Sequence, residues 1–397
     1  MQTAHKNDCN SKSNVLYVAL ELSLDTWKLA MTDGLGRAPR IRQIRAGNDK
    51  ELFREISRAK TMFQLPADAK VISCYEAGRE GFWVHRWLTA CGWENHILDP
   101  ASIEVSQRGK RVKTDRVDAE RMVMALIRRL SGDHHACREV HVPSCEDEDA
   151  RQLHRELETL TTEKTEHINR IKGLLFAQGI RLDQMRKTFP EMLLHVRTGD
   201  GRPLLGGLRE RLVREFKRLQ LLVEQIRELE KKRAGLYRQA MREEGKYPRW
   251  QELAVHLRWL SGIGDHTAML LTTELFGWRE LKNRREVAAL SGLTPSPWRS
   301  GQVKHEQGIA KTGRSSLRRL LIEVAWGWIH FQPESALTAW FAKRFGQGNS
   351  RERRIGIVAL ARKLLVALWK YVKDGLVPEG AKFTKNLNAF RYTRSLS

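Results

Sequence analysis

The first strongly apolar segment of the chain is Val15-Leu-Tyr-Val-Ala-Leu-Glu-Leu22. It is apolar and rich in residues that favour strands, and it carries one acidic residue, Glu21, near its end. Strand-like and helix-like segments then follow one another as far as about residue 130. We predict strands at 15–22, 27–32, 40–46, 71–75 and 96–98, and helices at 50–63, 81–91 and 115–130. This order predicts an α/β layer fold with a mixed sheet.

The rest of the chain has the pattern of an all-α protein. Leucine and isoleucine recur at spacings of three and four in two long segments, which predicts an antiparallel helical hairpin or a coiled-coil arm. Two helices that pack only on each other and an arm that forms dimers remain equally open. A glycine-, proline- and serine-rich interruption at 291–313 divides a later helical region. The predicted divisions are a disordered tail (1–14), an α/β domain (15–145), a helical arm (146–247), a mostly helical C-terminal domain (248–377) and a second tail (378–397).

The charge of the chain indicates a polyanionic partner. Its 397 residues include 70 Lys and Arg against 47 Asp and Glu, a formal net charge of +23. Nucleic acid is the first candidate and an anionic membrane surface the second. There is no apolar run of about 18 residues and no secretory signal, so we expect no membrane association. Five scattered cysteines fit a reducing compartment, which predicts a cytoplasmic protein.

Four acidic residues stand where an α/β fold can bring them together. Glu21 and Glu76 end the first and fourth predicted strands, and Asp115 and Asp118 share one face of a predicted helix. Each alone could be a solvated surface group or a helix cap. Together, four carboxylates repel one another unless a cation is held between them, and their hard oxygens suit Mg²⁺ or Mn²⁺. Such ions can activate the attacking oxygen and stabilise the leaving oxygen at a phosphate.

The C-terminal part contains candidate phosphate-binding segments. Gly262-Ile-Gly264 has the pattern of a helix-hairpin-helix turn, whose backbone N–H groups can hold a phosphate, although an ordinary tight turn between helices fits as well. Serines and glycines lie among the cations that follow, as a phosphate-gripping loop requires. The predicted nucleic-acid-binding residues are Gly262, Gly264, Lys282, Arg284, Arg285, Arg299, Lys304, Lys311, Arg314, Arg318 and Arg319.

Two segments, in the same order, resemble one known family, the DEDD-type transposases of insertion sequences in the IS-one-ten and IS-eleven-eleven group. Residues 15–130 resemble its RuvC-like, RNase H-like domain, most specifically in Lys113-Thr-Asp115-Arg-Val-Asp118-Ala-Glu120. Residues 253–335 resemble its C-terminal transposase domain. The resemblance implies that Glu21, Glu76, Asp115 and Asp118 are catalytic metal ligands. The chain departs from the family at Glu21, where Asp is usual, and Asp25 is a possible substitute.

The resemblance also implies a serine nucleophile and further partners. In the family, the serine of a Ser-Gly pair attacks the scissile phosphate and forms a covalent link to DNA, and that position is Ser300 here. Without the resemblance, Ser300 is a hydrogen-bonding loop residue, with His305 as a possible base. Ser296, Ser315 and Ser316 are alternative serines. A guiding noncoding RNA and assembly into homo-dimers or homo-tetramers are implied as well.

Two other functions remain open on the sequence alone. One is a RuvC-like junction resolvase or nuclease that cuts without a covalent intermediate. The other is a catalytically inactive protein that binds nucleic acid, for which Glu21 in place of Asp is the only hint in the sequence.

Overall fold

The computed structural model describes residues 14–103, 115–242, 245–300, 303–311 and 313–384, without the side chains at 115–117, 296–300 and 303–307. It divides into two compact units, one ending at Val142 and one starting at Pro143. The predicted tails lie outside the described residues up to residue 13 and from residue 385 onward. Over the described part of the chain, no helix is both long and apolar enough to cross a membrane.

The first unit is a mixed five-stranded sheet with helices. Its strands are β1 (Val15–Leu22), β2 (Thr26–Thr32), β3 (Arg40–Arg45), β4 (Lys70–Glu76) and β5 (Glu94–Leu98). Its helices are α1 (Asp49–Met62), α2 (Trp83–Ala90) and α3 (Asp115–Leu130), with a short 3₁₀ turn at Pro100–Ser102. The strand order is β3-β2-β1-β4-β5, with β2 antiparallel to both its neighbours and β4 parallel to both of its own. The predicted mixed α/β arrangement is confirmed, and each predicted element lies within two residues of the observed one.

Both faces of this sheet are buried, which is why β1 is almost continuously apolar. On one face, Val18 of β1 packs in a core with Leu52 of α1 and Val84 of α2. On the other face, Ala19 belongs to a core formed with α3, whose Met122 carbonyl lies 3.7 Å from the Cys74 sulfur of β4. Alternation along the strands therefore assigns each residue of β1 and β4 to one of two helical layers.

The second unit begins with the predicted helical arm. Its helices are α4 (Cys145–Ala150), α5 (Gln152–Phe176), α6 (Phe189–His195) and α7 (Gly206–Arg242). Leu157 near the start of α5 packs with Ile226 late in α7, whereas Leu175 near the end of α5 packs with Leu212 early in α7. The two long helices are therefore antiparallel, as the helical-hairpin prediction requires.

The remainder of the second unit is mostly helical and surrounds one large core. Its elements are α8 (Arg249–Arg258), α9 (Asp265–Leu271), a π-helical turn (Thr272–Phe276), α10 (Arg284–Leu290), β6 (Pro295–Ser300), β7 (Val303–Ile309), α11 (Ser315–Phe331), α12 (Ala336–Phe345) and α13 (Ser350–Asp374). The predicted interruption at 291–313 contains the antiparallel pair β6 and β7. Two closely spaced prolines, Pro295 and Pro297, disfavour a helix there, and pairing between strands satisfies the backbone instead.

The chain beyond α13 remains attached to the second unit as far as it is described. The Gln332 side-chain amide donates to the carbonyls of Ser261 and Lys382 at 2.8 Å each, and it accepts from the Lys382 N–H. Phe383 forms an isolated bridge with Leu260. The first residues of the predicted second tail are thus bound by specific hydrogen bonds, which hydrophobic periodicity does not reveal.

A glycine pair closes the end of the arm and allows a direct test of this packing. Gly179 has a φ of +73°, and a Cβ added there would lie 2.8 Å from the Gly199 Cα. We expect Gly179→Ala to lower the free energy of unfolding by about 1–3 kcal/mol, because both the backbone conformation and the space exclude a side chain. Urea denaturation followed by helical circular dichroism measures this change.

The matched control is Gly235→Ala in α7, where an added Cβ would meet nothing within 4 Å. That change is expected to leave stability unaltered or raise it by up to about 1 kcal/mol, since alanine is the better helix former. A Gly179→Ala protein that unfolds at the same urea concentration as Gly235→Ala would contradict the described loop.

Candidate functional site

Two of the predicted acidic ligands lie side by side at the end of two parallel strands. The β1–β4 register pairs Leu20 with Tyr75, so the next pair along it is Glu21 and Glu76. Neighbouring strands are about 4.8 Å apart. Glu21 follows Ala19 by two residues and Glu76 follows Cys74 by two, and both of those residues belong to the core formed with α3. Alternation therefore places both glutamates on the face that α3 covers.

Backbone hydrogen bonds fix this strand end. The N–H of Ala77 donates to the Leu98 carbonyl at 2.9 Å, which extends the pairing of β4 with β5 past Glu76. The Tyr75 hydroxyl donates to the Gly81 carbonyl at 2.9 Å and holds the loop that follows. Glu76 is exposed, whereas Glu21 is half-buried, with its Oε2 shielded from solvent. The Glu76 carboxylate is thus accessible from solvent, whereas the Glu21 carboxylate is partly buried at the same end of the sheet.

A lysine lies next to Glu21 on the other neighbouring strand, so three charged residues, Lys28, Glu21 and Glu76, lie side by side on β2, β1 and β4. Lys28 of β2 lies directly opposite Glu21 in the antiparallel register, so the two side chains share a face. Two carboxylates about 5 Å apart repel by roughly 3 kcal/mol at an effective dielectric constant of about 20. Lys28 offsets part of that repulsion, and a divalent cation would offset more.

The helix α3 carries the other two predicted acids. The Asp118 carboxylate is a quarter exposed and lies 3.6 Å from the Arg121 guanidinium. Asp118 is one helical turn before Met122, whose carbonyl contacts Cys74. Asp115 begins α3, and its side chain lies outside the described residues. Among the side chains that the structure describes, no three acidic, histidine or cysteine residues form a metal-binding group, and that set leaves Asp115 out.

Asp25, the alternative to Glu21, lies beyond the strand end. It is an exposed residue of the turn between β1 and β2, and its carbonyl accepts from the Ala46 N–H at 2.9 Å. Of these two acids, Glu21 alone has a place in the register next to Glu76.

In the second unit, the glycine motif forms a braced turn between α8 and α9. Gly262 has a φ of +88°, and a Cβ there would lie 3.1 Å from the Phe331 Cβ. Gly264 is the N-cap of α9, and the Arg258 guanidinium binds Asp265 at 2.6 Å across the turn. This geometry suits a tight helix–helix turn and a phosphate-binding turn equally.

Ser300 ends β6 and pairs with Val303 at the start of β7, next to the connection between the two strands. Its side chain lies outside the described residues, as do those of Arg299, Lys304 and His305. Two backbone hydrogen bonds hold the opposite end of the pair, from Ala310 to Thr294 and from Lys311 to Gly292. Lys311 has a φ of +56°, a left-handed conformation that is uncommon for a residue with a side chain.

The other predicted phosphate-binding cations divide into exposed and bound groups. Lys282, Arg284, Arg285, Lys311 and Arg319 are exposed or nearly so. Arg284 and Arg285 lie in the first turn of α10, where the helix dipole disfavours cations and favours a nearby anion. Arg318, in contrast, is half-buried and donates to the Gly313 carbonyl at 3.1 Å.

Arg314 belongs to a buried ionic network that the sequence does not reveal. Its guanidinium contacts Glu274 and also binds Glu158 at 2.8 Å. Glu274 is only 6% exposed, and it accepts from Arg155 at 2.9 Å and contacts the His154 ring at 3.0 Å. Burial alone would raise the pKa of Glu274, but hydrogen bonds from His154 and Arg155 and the charges of Arg155 and Arg314 outweigh it, so the pKa lies below its ordinary value.

This network joins α5, the π-helical turn and the start of α11. The one signal in the sequence is an isolated acid, Glu274, in the otherwise apolar and hydroxylic run from 267 to 276. Arg314 thus positions the segment that follows β7, and its predicted contact with nucleic acid stays a prediction. π-helical turns are frequent at functional sites.

Known proteins are similar in sequence to this chain over most of its length. A family model described as "Transposase IS116/IS110/IS902 family" matches residues 254–339. The Sinorhizobium fredii protein named "Putative transposase y4rJ" is 42% identical over 92% of this chain and 94% of its own length. The transposase for insertion sequence element IS1328 of Yersinia enterocolitica is 25% identical over 82% of this chain and 91% of its own. Similarity at this level over nearly the whole chain shows that the protein belongs to the IS116/IS110/IS902 family of transposases.

Proposed function

We propose that this transposase cleaves and rejoins DNA with four carboxylates, a divalent metal and a serine nucleophile. The observation that carries the proposal is the register of β1 and β4, which makes Glu21 and Glu76 neighbours on the face covered by α3. Asp115 and Asp118 lie in the first turn of that helix. The mixed sheet, with Glu21 and Glu76 side by side at the end of two parallel strands, supports a RuvC-like fold for this domain.

The donor set fits Mg²⁺ or Mn²⁺. Glu21, Glu76, Asp115 and Asp118 would supply only hard carboxylate oxygens, which these cations prefer. When bound, the metal would act as a Lewis acid that stabilises charge on the scissile phosphate. Glu21, half-buried, would anchor it, and exposed Glu76 would face the DNA. Before the ion binds, the positive charge of Lys28 would offset part of the repulsion between Glu21 and Glu76.

In the second unit, we propose that the Ser300 hydroxyl attacks the phosphorus of the scissile phosphodiester. A bond forms between the serine oxygen and phosphorus, and the bond from phosphorus to the oxygen of the leaving strand breaks. The hydroxyl proton passes to a base, for which His305 is the candidate, and the leaving oxygen takes up a proton. The position of Ser300 beside the connection of a two-stranded hairpin supports this role, because DNA can approach a hairpin end.

Phosphate contacts would come from the braced Gly262–Gly264 turn, acting as a helix-hairpin-helix element, and from the exposed cations around it. The long antiparallel helices would act as a coiled-coil arm for homo-dimers or homo-tetramers. A noncoding RNA that guides target choice completes the proposal, and it rests on the family resemblance.

Removing one carboxylate at a time tests the metal site. Glu76→Gln is expected to reduce metal-dependent DNA cleavage by about a hundredfold or more, because the charge that neutralises the cation is lost while the shape is kept. Glu21→Asp should retain cleavage, since it restores the usual acid of the family. A gel assay on labelled element-end DNA with Mg²⁺ or Mn²⁺ measures the rate.

Asp25→Asn is the control for that series, since Asp25 lies in the turn beyond the strand end. It is expected to leave the cleavage rate within about threefold of the wild type, a change below ~0.7 kcal/mol. Full activity in Glu21→Gln combined with none in Asp25→Asn would move the ligand to Asp25.

The serine is tested by trapping the covalent intermediate. Wild-type protein incubated with labelled DNA should give a protein–DNA adduct that survives denaturing electrophoresis, and Ser300→Ala should give none. Ser315→Ala changes an exposed serine in the first turn of α11 and should keep the adduct. Cleavage by the wild type with no adduct at all would favour a junction resolvase or nuclease instead.

The guide RNA is tested on nucleic acid that copurifies with the full chain from its own host. We expect one structured noncoding RNA to be enriched over total cellular RNA. Sequencing before and after nuclease treatment measures the enrichment. Recovery of DNA alone, with RNA at background, would remove the guide from the proposal and leave the cleavage chemistry untouched.

A further inference from the structure

The second unit contains a basic cleft whose lining, among the residues that the structure describes, comes from α8, α13 and the chain from the π-helical turn to α10. Its volume is about 290 Å³, close to the lower end of ordinary ligand pockets at roughly 300–1,000 Å³. It is formed by the start of α8, the segment after the π-helical turn and the end of α13. Four cations line it, Arg249, Arg279, Lys282 and Lys373, together with one carboxylate, Glu280.

Aromatic rings hold two of these cations in place. The Arg279 guanidinium lies 4.1 Å from the centroid of the Trp278 ring, and its Nε donates to the Glu274 carbonyl at 3.2 Å. The Lys373 ammonium lies 4.9 Å from the centroid of the Trp369 ring. A ring face attracts a cation without neutralising it, so both groups keep their full charge for another partner.

A third cation, Arg151, lies near Arg279 on the same aromatic ring. The Arg151 guanidinium lies 4.7 Å from the same Trp278 ring, and Arg151 is only 5% exposed. Burial, with repulsion from Arg151, lowers the pKa of Arg279 to about 10. Glu274 opposes that repulsion, but its carboxylate is already shared by the other cations of the ionic network. An anion in the cleft would stabilise this arrangement.

The walls of the cleft identify the kind of anion. Phe276, Trp369 and Leu253 supply apolar surface beside the cations, and each is less than 10% exposed. A small inorganic ion would contact the charges and leave this apolar part of the wall open to water. A phosphate attached to a sugar would use both.

We propose that this cleft binds a phosphodiester of a nucleic-acid backbone, with the phosphate on the four cations and the adjoining sugar against Phe276 and Trp369. The proposal deepens the transposase function proposed above and rests on it. Because DNA and RNA share this chemistry, the source is decided by experiment. None of the described lining residues is one of the proposed cutting residues, so the cleft would add a second contact with the strand.

The test compares two double variants of the full chain that each remove two positive charges. Lys282→Gln with Lys373→Gln alters the cleft, and Arg351→Gln with Arg353→Gln alters exposed residues at the other end of α13. Binding of labelled duplex DNA, single-stranded DNA and RNA is measured over a series of salt concentrations. We expect the cleft variant to bind about tenfold more weakly and its salt slope to fall by about 0.7–0.9 for each phosphate that it no longer neutralises. The control should change by less than about threefold.

A local readout accompanies the affinities. Acylation of lysines, read by mass spectrometry, should show Lys282 and Lys373 protected by bound nucleic acid, whereas exposed Lys343 on α12 keeps its reactivity. The oligonucleotide that protects them identifies DNA or RNA as the occupant. Equal losses in both double variants, or unprotected cleft lysines in a complex that forms normally, would overturn the cleft alone. A wild-type protein that binds none of the three oligonucleotides would overturn the proposed function as well.

Discussion

The adjacent placement of Glu21 and Glu76 depends on the register between β1 and β4, and packing on both faces of the sheet fixes that register. Val18 and Ala19 belong to cores on opposite faces of the sheet. A slip of one residue would turn the apolar set of β1 toward the wrong helices and carry Glu21 to the face of α1 and α2. The burial that stabilises the sheet is thus the same constraint that holds two mutually repelling carboxylates side by side.

The second unit balances buried charge in a comparable way. Glu274 is buried with three cationic or ionisable partners from α5 and the start of α11. Removing one member of a buried ion pair costs about 3–5 kcal/mol, because the other charge loses its compensation. The network therefore attaches the arm to the C-terminal core more specifically than apolar packing does. Arg314 is a member of this network, so it stabilises the fold although its neighbours in the sequence are predicted to bind phosphate.

Sequence patterns predicted the first unit well and the second only in part. Apolar runs of strand length and helices of period 3.6 located the strands and α-helices around Glu21 and Glu76, because both faces of that sheet are buried. The β6–β7 pair was predicted as an interruption, since prolines and glycines obscure so short a strand signal. The sequence did not predict the Glu274 network, because His154 lies 120 residues from Glu274 in the chain. Nothing in the local sequence distinguishes Arg314 from an exposed cation. The side chains of Asp115 and Ser300 lie outside the described residues, so their part in the two sites stays a prediction.

The packing of α7 against α5 limits how the arm can change in length. Its 37 residues rise about 1.5 Å each, which gives a rod roughly 55 Å long, or about one and a half turns of B-form DNA. Inserting one residue rotates everything beyond it by about 100° and would turn Leu212 or Ile226 away from α5. A change in arm length that keeps this packing therefore has to add about whole turns to both helices together, so the span between the two ends of the arm changes in steps.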